Sequence, residues 1–478
     1  STQAKTLFPY TTLFRSHVEI KLPLGPSGPR TFIVPRAVPM GYGEQRYDDF
    51  IDDLRAAAPD GAALPVRRGE GPRWIVGQDG AVLAALRYRV DLDRQEREIF
   101  AGGESSRVRP GYVGLSLFTV LGFLDGPHGI DQGRTPAAGG LDSPAELEVL
   151  GPPGWPLFST LAPVLPAPTQ RLLARARSFY ELADAQVVGG PALALRGRVV
   201  PDVAGRAVPL SLASYAETPP GSFDEGAYLA LSADALAKVA GYFGTAPLTR
   251  YSVVVEHLRA RSPRHSYGMS LEHLHGAAVV LPADQALPPG ASPVARERAR
   301  YNLAHHMAHA WLPERCRGPG YAPFSFELAP VLDSLFVSEG FAQYAAAQAL
   351  YAADATALET LVERRFRRPV REAPAFLRRL SLVELSRVAS TRYSQDFRTG
   401  RLVFARGALL AEALDREIRA QSGGARSLRE GLRGLLGACD RGGGAFQTEA
   451  VPTHLAAGAR IPEPPLQSVY QRGLLPLD

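Results

Sequence analysis

The stretch that most constrains this chain is L-A-H-H-M-A-H at 303–309. On a helix, His305 and His309 are four residues apart and share one face. Two imidazoles so placed can grip one metal ion, and a carboxylate from a following helix can complete the set. Such an acid, Glu339, stands further on in F-V-S-E-G-F-A-Q-Y. A bare H-x-x-x-H is also met as a pair of satisfied core histidines, so its surroundings have to decide.

Length points to two or three domains in 478 residues. An apolar share of 45% excludes wholesale disorder. Of the 53 basic residues only Lys5, Lys21 and Lys238 are lysines, an arginine excess that a GC-rich coding sequence accounts for. The densest basic run, 362–371, has no aromatic platform beside it and reads as a solvated helix face, so no nucleic-acid partner is expected. No apolar run approaches the length of a membrane helix, and no membrane span is expected. Cys316 and Cys439 can form at most one bridge and leave the compartment open. Residues 6–16 look like a translated sequencing adapter. Residues 1–16 are therefore set aside as an artefact, which leaves the true start and any leader unread.

The rest of the chain reads as α+β. Alternating stretches at 18–24, 31–35 and 85–92 predict a β-sandwich-like N-terminal domain over 17–170, with one short helix at 47–58. A linker is expected at 165–169. A mixed β part follows over 171–290, with strands at 251–258 and 269–281, the second carrying Glu272 and His273. Residues 291–440 read as helical. The histidine helix falls at 294–311, the Glu339 helix at 338–352 with Ser338 as N-cap, and a long helix at 400–422. R-G-G-G at 441–444 breaks the pattern. A Pro/Gly-rich tail, without strong apolar periodicity, is expected over 441–478.

Several segments together carry a family resemblance: S-L-E-H (270–273), H-H-M-A-H-A-W (305–311) and L-F-V-S-E-G-F-A-Q-Y (335–344). Support comes from V-P-M-G-Y (38–42), P-P-G-W (152–155), Y-F-G-T-A-P-L-T-R-Y (242–251) and F-A-R-G-A-L-L-A-E-A-L-D (404–415). The chain resembles the glycyl aminopeptidase family of zinc metallopeptidases, the PDZ peptidases, over residues 18–437. These are gluzincins, with two zinc ligands from H-E-x-x-H, where the Glu is the general base, and a third from a downstream Glu. The resemblance implies a thermolysin-like catalytic domain over 171–440, a small sheet above a helical lobe. It implies zinc on His305, His309 and Glu339, and a substrate's free α-amine held by Glu272, beside His273, on the sheet's edge strand.

Three positions depart from the family pattern. The base Glu is replaced by His306. A tyrosine pair is replaced by Val403 and Phe404, with Tyr393 upstream as a possible stand-in. The chain ends at Asp478 without room for a PDZ domain. The function expected is a zinc metallopeptidase-like protein that binds peptide N-termini in a zinc cleft. Hydrolysis is expected to be weak or absent for want of the general base. The alternatives are an active zinc aminopeptidase that uses His306 as substitute base, and a metal-free binding or structural protein.

Overall fold

The computed structural model describes residues 2–7, 15–125, 142–161, 171–201, 206–219, 221–262, 267–321 and 324–462. Alternation builds the N-terminal part as predicted. In Ala85–Asp91, Leu86, Tyr88 and Val90 are buried, while Arg87 and Arg89 lie on the other face. That strand belongs to a seven-stranded sheet in the order Arg171–Ala176, Ala145–Leu150, Thr2–Leu7, Arg15–Lys21, Ala85–Asp91, Ile51–Ala57, Ala63–Leu64. Two four-stranded sheets complete this part. One runs Leu157–Ser159, Gln186–Gly189, Tyr112–Ser116, Arg107–Arg109; the other runs Phe123–Asp125, Arg30–Ile33, Arg73–Val76, Val66–Arg68. The sheets enclose a core around Phe32, Tyr88, Leu115 and Phe118.

One expectation for this part, the short helix at 47–58, is corrected. Residues 47–58 are a short 3-10 turn, Tyr47–Phe50, followed by the strand Ile51–Ala57. A β-bulge between Asp52 and Arg55, with Asp53 at φ 57°, interrupts the alternation and hides the strand from the sequence. The backbone of Thr2–Leu7, set aside above, pairs with Arg15–Lys21 on one side and Ala145–Leu150 on the other, so it fills the sheet between two strands. Arg171–Ala176 and Gln186–Gly189 pair with strands of the N-terminal part. Strand pairing therefore runs on past residue 170, and we propose the division near Gly189. The linker expected at 165–169 lies outside the described residues.

The second part is a five-stranded sheet over helices. Its order is Ala194–Pro201, Ala207–Ala216, Tyr251–Leu258, Gly276–Pro282, Met269–His273. The expected single strand at 269–281 is thus a hairpin turning at Leu274 and His275, and Met269–His273 is the edge strand, antiparallel to its neighbour. Helices Glu225–Phe243, Pro293–Ala308, Ala342–Tyr351 and Phe397–Gln421 pack together into the lobe beneath. The α+β class with a β-rich N-terminal domain and a second domain of a sheet over helices is borne out.

Buried ion pairs lock the two parts together. Arg107 is fully buried and donates through Nε to Glu256 Oε1 at 3.1 Å, and the Tyr112 hydroxyl donates to the same oxygen at 2.9 Å. Arg109 bridges Glu96 at 2.6 Å and Glu217 at 2.7 Å. Breaking such a buried pair leaves a charge without a partner, so the clamp resists sliding of one part on the other.

The expected tail region holds a helix. Helix Val451–Ala459 packs on helix Leu428–Arg441, burying Val451, Leu455, Ala456 and Ala459. Its contact is made by glycines: a Cβ on Gly434 would lie 2.5 Å from Gly458 Cα. Such a small-residue seam leaves little apolar signal in a sequence. A disulfide joins Cys316, just after the histidine helix, to Cys439. Among the described residues no helix is long and apolar enough to cross a membrane.

Candidate metal centre

The histidine helix is Pro293–Ala308, with Ser292 as N-cap: its hydroxyl accepts from Ala295 N at 3.2 Å, and Pro293 opens the first turn. His305 and His306 fall in its last turn, and His309 is the C-cap. His309 Nδ1 donates to the Leu312 carbonyl at 2.8 Å. That bond fixes the tautomer and leaves Nε2 free to accept. Trp311 holds the helix end in place. Its ring stacks on Phe243 at 4.9 Å and its Nε1 donates to Thr245 at 3.0 Å. The chain between them turns at Gly244, φ 72°, a left-handed cap that favours glycine.

Glu339 sits in a wide π-helical turn, Phe336–Phe341, that runs into Ala342–Tyr351. Ser338 is inside this turn rather than at an N-cap. The turn lies hard against the long helix Phe397–Gln421: a Cβ on Gly340 would come within 2.4 Å of Gly407 Cα, and one on Gly407 within 2.3 Å of the Phe336 carbonyl. Paired glycines therefore set the depth at which Glu339 enters the site. Turns of this type concentrate at functional sites.

The three side chains converge. His305 Nε2 and His309 Nε2 are 3.3 Å apart, and each is 3.4 Å from Glu339 Oε2. Ligand atoms at about 2.0–2.1 Å in a tetrahedron stand about 3.3–3.4 Å from one another. The triangle is thus the size that zinc requires, and Glu339 Oε2 is buried with no hydrogen-bond partner of its own. These residues fit the ion that the resemblance implies.

Electrostatics agree with a cation-seeking centre. Burial drives His305 and His306 toward the neutral form, with pKa values of about 4 and about 3, and the charge on His309 adds to both shifts. Burial would lower His309 as well, but the carboxylates of Glu272 and Glu339 outweigh it and raise its pKa to about 9. Burial pushes Glu272 up to about 7, His309 opposing and Glu339 assisting. Burial also works against ionised Glu339, yet His309 and His305 hold it below the usual carboxylate range. In effect one proton on His309 neutralises part of the buried negative charge, and a metal ion would take its place.

Glu272 and His273 part company. Glu272 faces the cleft, its Oε2 3.4 Å from His306 Nδ1 and its Oε1 3.7 Å from His309 Nε2. His273 is the next residue on the strand and points to the opposite face, where Asp184 (3.0 Å) and Gln186 (3.3 Å) hold it. His273, expected beside substrate, thus lies away from Glu272 as a buried sheet histidine. His306 lines the cleft with His305, Glu272 and Glu339.

One residue beside the candidate ligands was missed. Tyr42 comes from the N-terminal part, and its hydroxyl donates to Glu339 Oε1 at 2.7 Å. Its carbonyl accepts from Ser394 N and Oγ, both at 3.0 Å, and Met40 N donates to the Tyr321 hydroxyl at 3.0 Å. These bonds pin the V-P-M-G-Y segment into the centre; in the sequence it counted only as a supporting match. Of the departing pair, Val403 is buried and Phe404 lines the cleft, 5.5 Å from the Tyr393 ring. Tyr393 lines the same cleft. The cleft encloses about 870 Å³.

Comparison with known proteins agrees with this geometry. Residues 299–374 match the family model for M61 glycyl aminopeptidase, a segment that contains all three histidines and Glu339. No curated protein matches. Among solved structures, the chain is similar to an aminopeptidase N family protein from Idiomarina loihiensis, with TM-score 0.83 and 17% identity over 100% of this chain and 76% of that one. It is also similar to an M1 zinc metallopeptidase mutant from Deinococcus radiodurans, bound to a Tyr-Ser-Ala substrate. There the TM-score is 0.57 at 16% identity, over 99% of this chain and 93% of that one. A two-domain M1 zinc metallopeptidase mutant bound to L-arginine gives TM-score 0.58 at 17% identity, covering 100% and 94%. These findings bear out the resemblance to the gluzincin aminopeptidases, and within them to the glycyl aminopeptidase family.

Tyr42 supports the ligand carboxylate without touching the ion site itself. Outer partners of this kind typically contribute about 10–100-fold to metal affinity. Tyr42→Phe is expected to weaken zinc binding within that range while the melting temperature stays close to that of the parent. Competition with a chelator of known affinity measures it, and unchanged affinity would remove Tyr42 from the centre.

Proposed function

We propose that this cleft binds peptide N-termini beside a zinc ion held by His305, His309 and Glu339, with hydrolysis weak or absent. The observation that carries the reading is the place of His306. Its ring lines the cleft beside the ligand triangle, and its Nδ1 faces Glu272 rather than open space. No carboxylate stands at the position where H-E-x-x-H has its base. A bound zinc ion supplies Lewis-acid polarisation of a peptide carbonyl. The chain's own residues do the rest. Glu272, on the edge strand above the triangle, is placed to pair with an ammonium and so to fix which peptide end enters. Hydrolysis also needs an acceptor for the attacking water's proton, and its loss costs about 10²–10⁴ in rate.

The runner-up, an active aminopeptidase with His306 as base, is favoured by one observation: burial keeps that ring neutral, with a lone pair available. Its low basicity and its approach to Glu272 weigh against efficient use. His306→Glu separates the two readings. With zinc bound, the variant is expected to cleave glycyl and alanyl reporters about 10²–10⁴-fold faster than the parent. A parent that cleaves the reporters readily, and as fast as the variant, would establish the runner-up. Parent and zinc-loaded variant both inactive would mean that the missing base is not what limits the cleft.

The amine role has its own test. A peptide with a free N-terminus is expected to bind much more tightly than its N-acetylated form, because acetylation removes the ammonium. Glu272→Gln should erase the difference. Equal affinity of the two peptides for the parent protein, by calorimetry, would rule the role out.

A further inference from the structure

The cleft wall beyond the metal centre carries four arginines: Arg298 from the histidine helix, Arg364 and Arg365 from the turn Glu363–Arg367, and Arg401 from Phe397–Gln421. They share one cleft and have no counter-ion there. Several neighbouring arginines outside the cleft are paired. Arg300 meets Asp234 and Glu297, and Arg367 meets Glu359 and Glu412. Arg368 meets Glu372, Arg371 meets Glu363, and Arg398 meets Asp396. Among the described residues none of the four cleft arginines has a carboxylate within ion-pair distance. The basic run at 362–371 is therefore a self-paired helix face only in part, since Arg364 and Arg365 turn into the cleft.

All four are open to solvent and so available to a ligand. Arg365 lies 5.5 Å from the centre of the Tyr301 ring. It is recessed among protein atoms, although water still reaches it. That recess, together with the like charges of Arg364 and Arg298, lowers its pKa, while Tyr301 opposes the shift. The carboxylates lining the cleft are Glu272 and Glu339 at the metal centre and Asp284. The cleft is thus negative at one place and positive along its wall. A guanidinium presents a planar fork that matches a carboxylate.

We propose that this wall receives a carboxylate of the bound peptide, so that the cleft selects peptides with a free amine at one end and an anionic group further along. The proposal rests on the reading that the cleft binds peptide N-termini. The carboxylate has two possible sources, an acidic side chain or the C-terminus of a short peptide.

Three peptides distinguish the sources: glycyl-triaspartyl amide, glycyl-triasparaginyl amide, and glycyl-triasparagine with a free C-terminus. Binding to the full zinc-loaded chain is measured by calorimetry at low salt. At least one carboxylate peptide is expected to bind roughly tenfold tighter than the neutral amide. The advantage should shrink as salt rises. It should fall several-fold in the double variant Arg364→Gln/Arg365→Gln. It should be unchanged in Arg368→Gln, whose arginine is already paired outside the cleft. Tighter binding of the aspartyl amide alone identifies a side-chain carboxylate, and of the free acid alone, the C-terminus. Should the neutral amide bind as tightly as both, the proposal is overturned while the peptide-binding reading stands. If none of the three binds, that reading fails and this proposal falls with it.

Discussion

Two carboxylates and two imidazoles meet at one buried point, and the rest of the molecule is arranged to hold them there. Glu339 is 2% exposed, Glu272 3% and His309 0%. Burying ionised carboxylates is costly unless a cation shares the site. A proton on His309 is one such cation, and a metal ion is the stronger one. This requirement explains features that propensity alone does not favour. The histidine helix ends with its last turn directed inward. The Glu339 segment runs as a widened turn, and glycines at 340 and 407 let two helices approach closely enough to place the acid.

The N-terminal β part belongs to the same device. It contributes Tyr42, whose hydroxyl reaches Glu339, and it is fixed to the catalytic sheet by Arg107, Arg109 and their acids. Moving that part would both expose buried charge and release a ligand's hydrogen bond. Fold stability and site geometry are therefore coupled through the same contacts. His306 lines the same cleft and leaves this framework standing.

How much of this was legible depends on the range of the interaction. His305 and His309 could be paired from spacing because helix geometry is local, and Glu339 because its segment has a recognisable pattern. Tyr42 could not, since its contact spans 297 residues and no periodicity reports it. The separation of Glu272 and His273 was legible, because adjacent strand residues face opposite ways. The strand at 51–57 was hidden by its bulge. The helix at 451–459 was hidden by a seam of glycines in place of large apolar residues. The charge at 362–371 was read as a solvated helix face, and Arg367, Arg368 and Arg371 are paired with acids there. Only the fold shows which two arginines turn inward.

The account depends most on a metal ion at the His305, His309 and Glu339 triangle. The direct measurement is elemental analysis of the full chain after zinc loading and exhaustive dialysis, beside His305→Ala and His309→Ala. One zinc per chain, lost in both variants while the fold is retained by circular dichroism, is the predicted result. No stoichiometric zinc in the parent, or full retention in the variants, would contradict it.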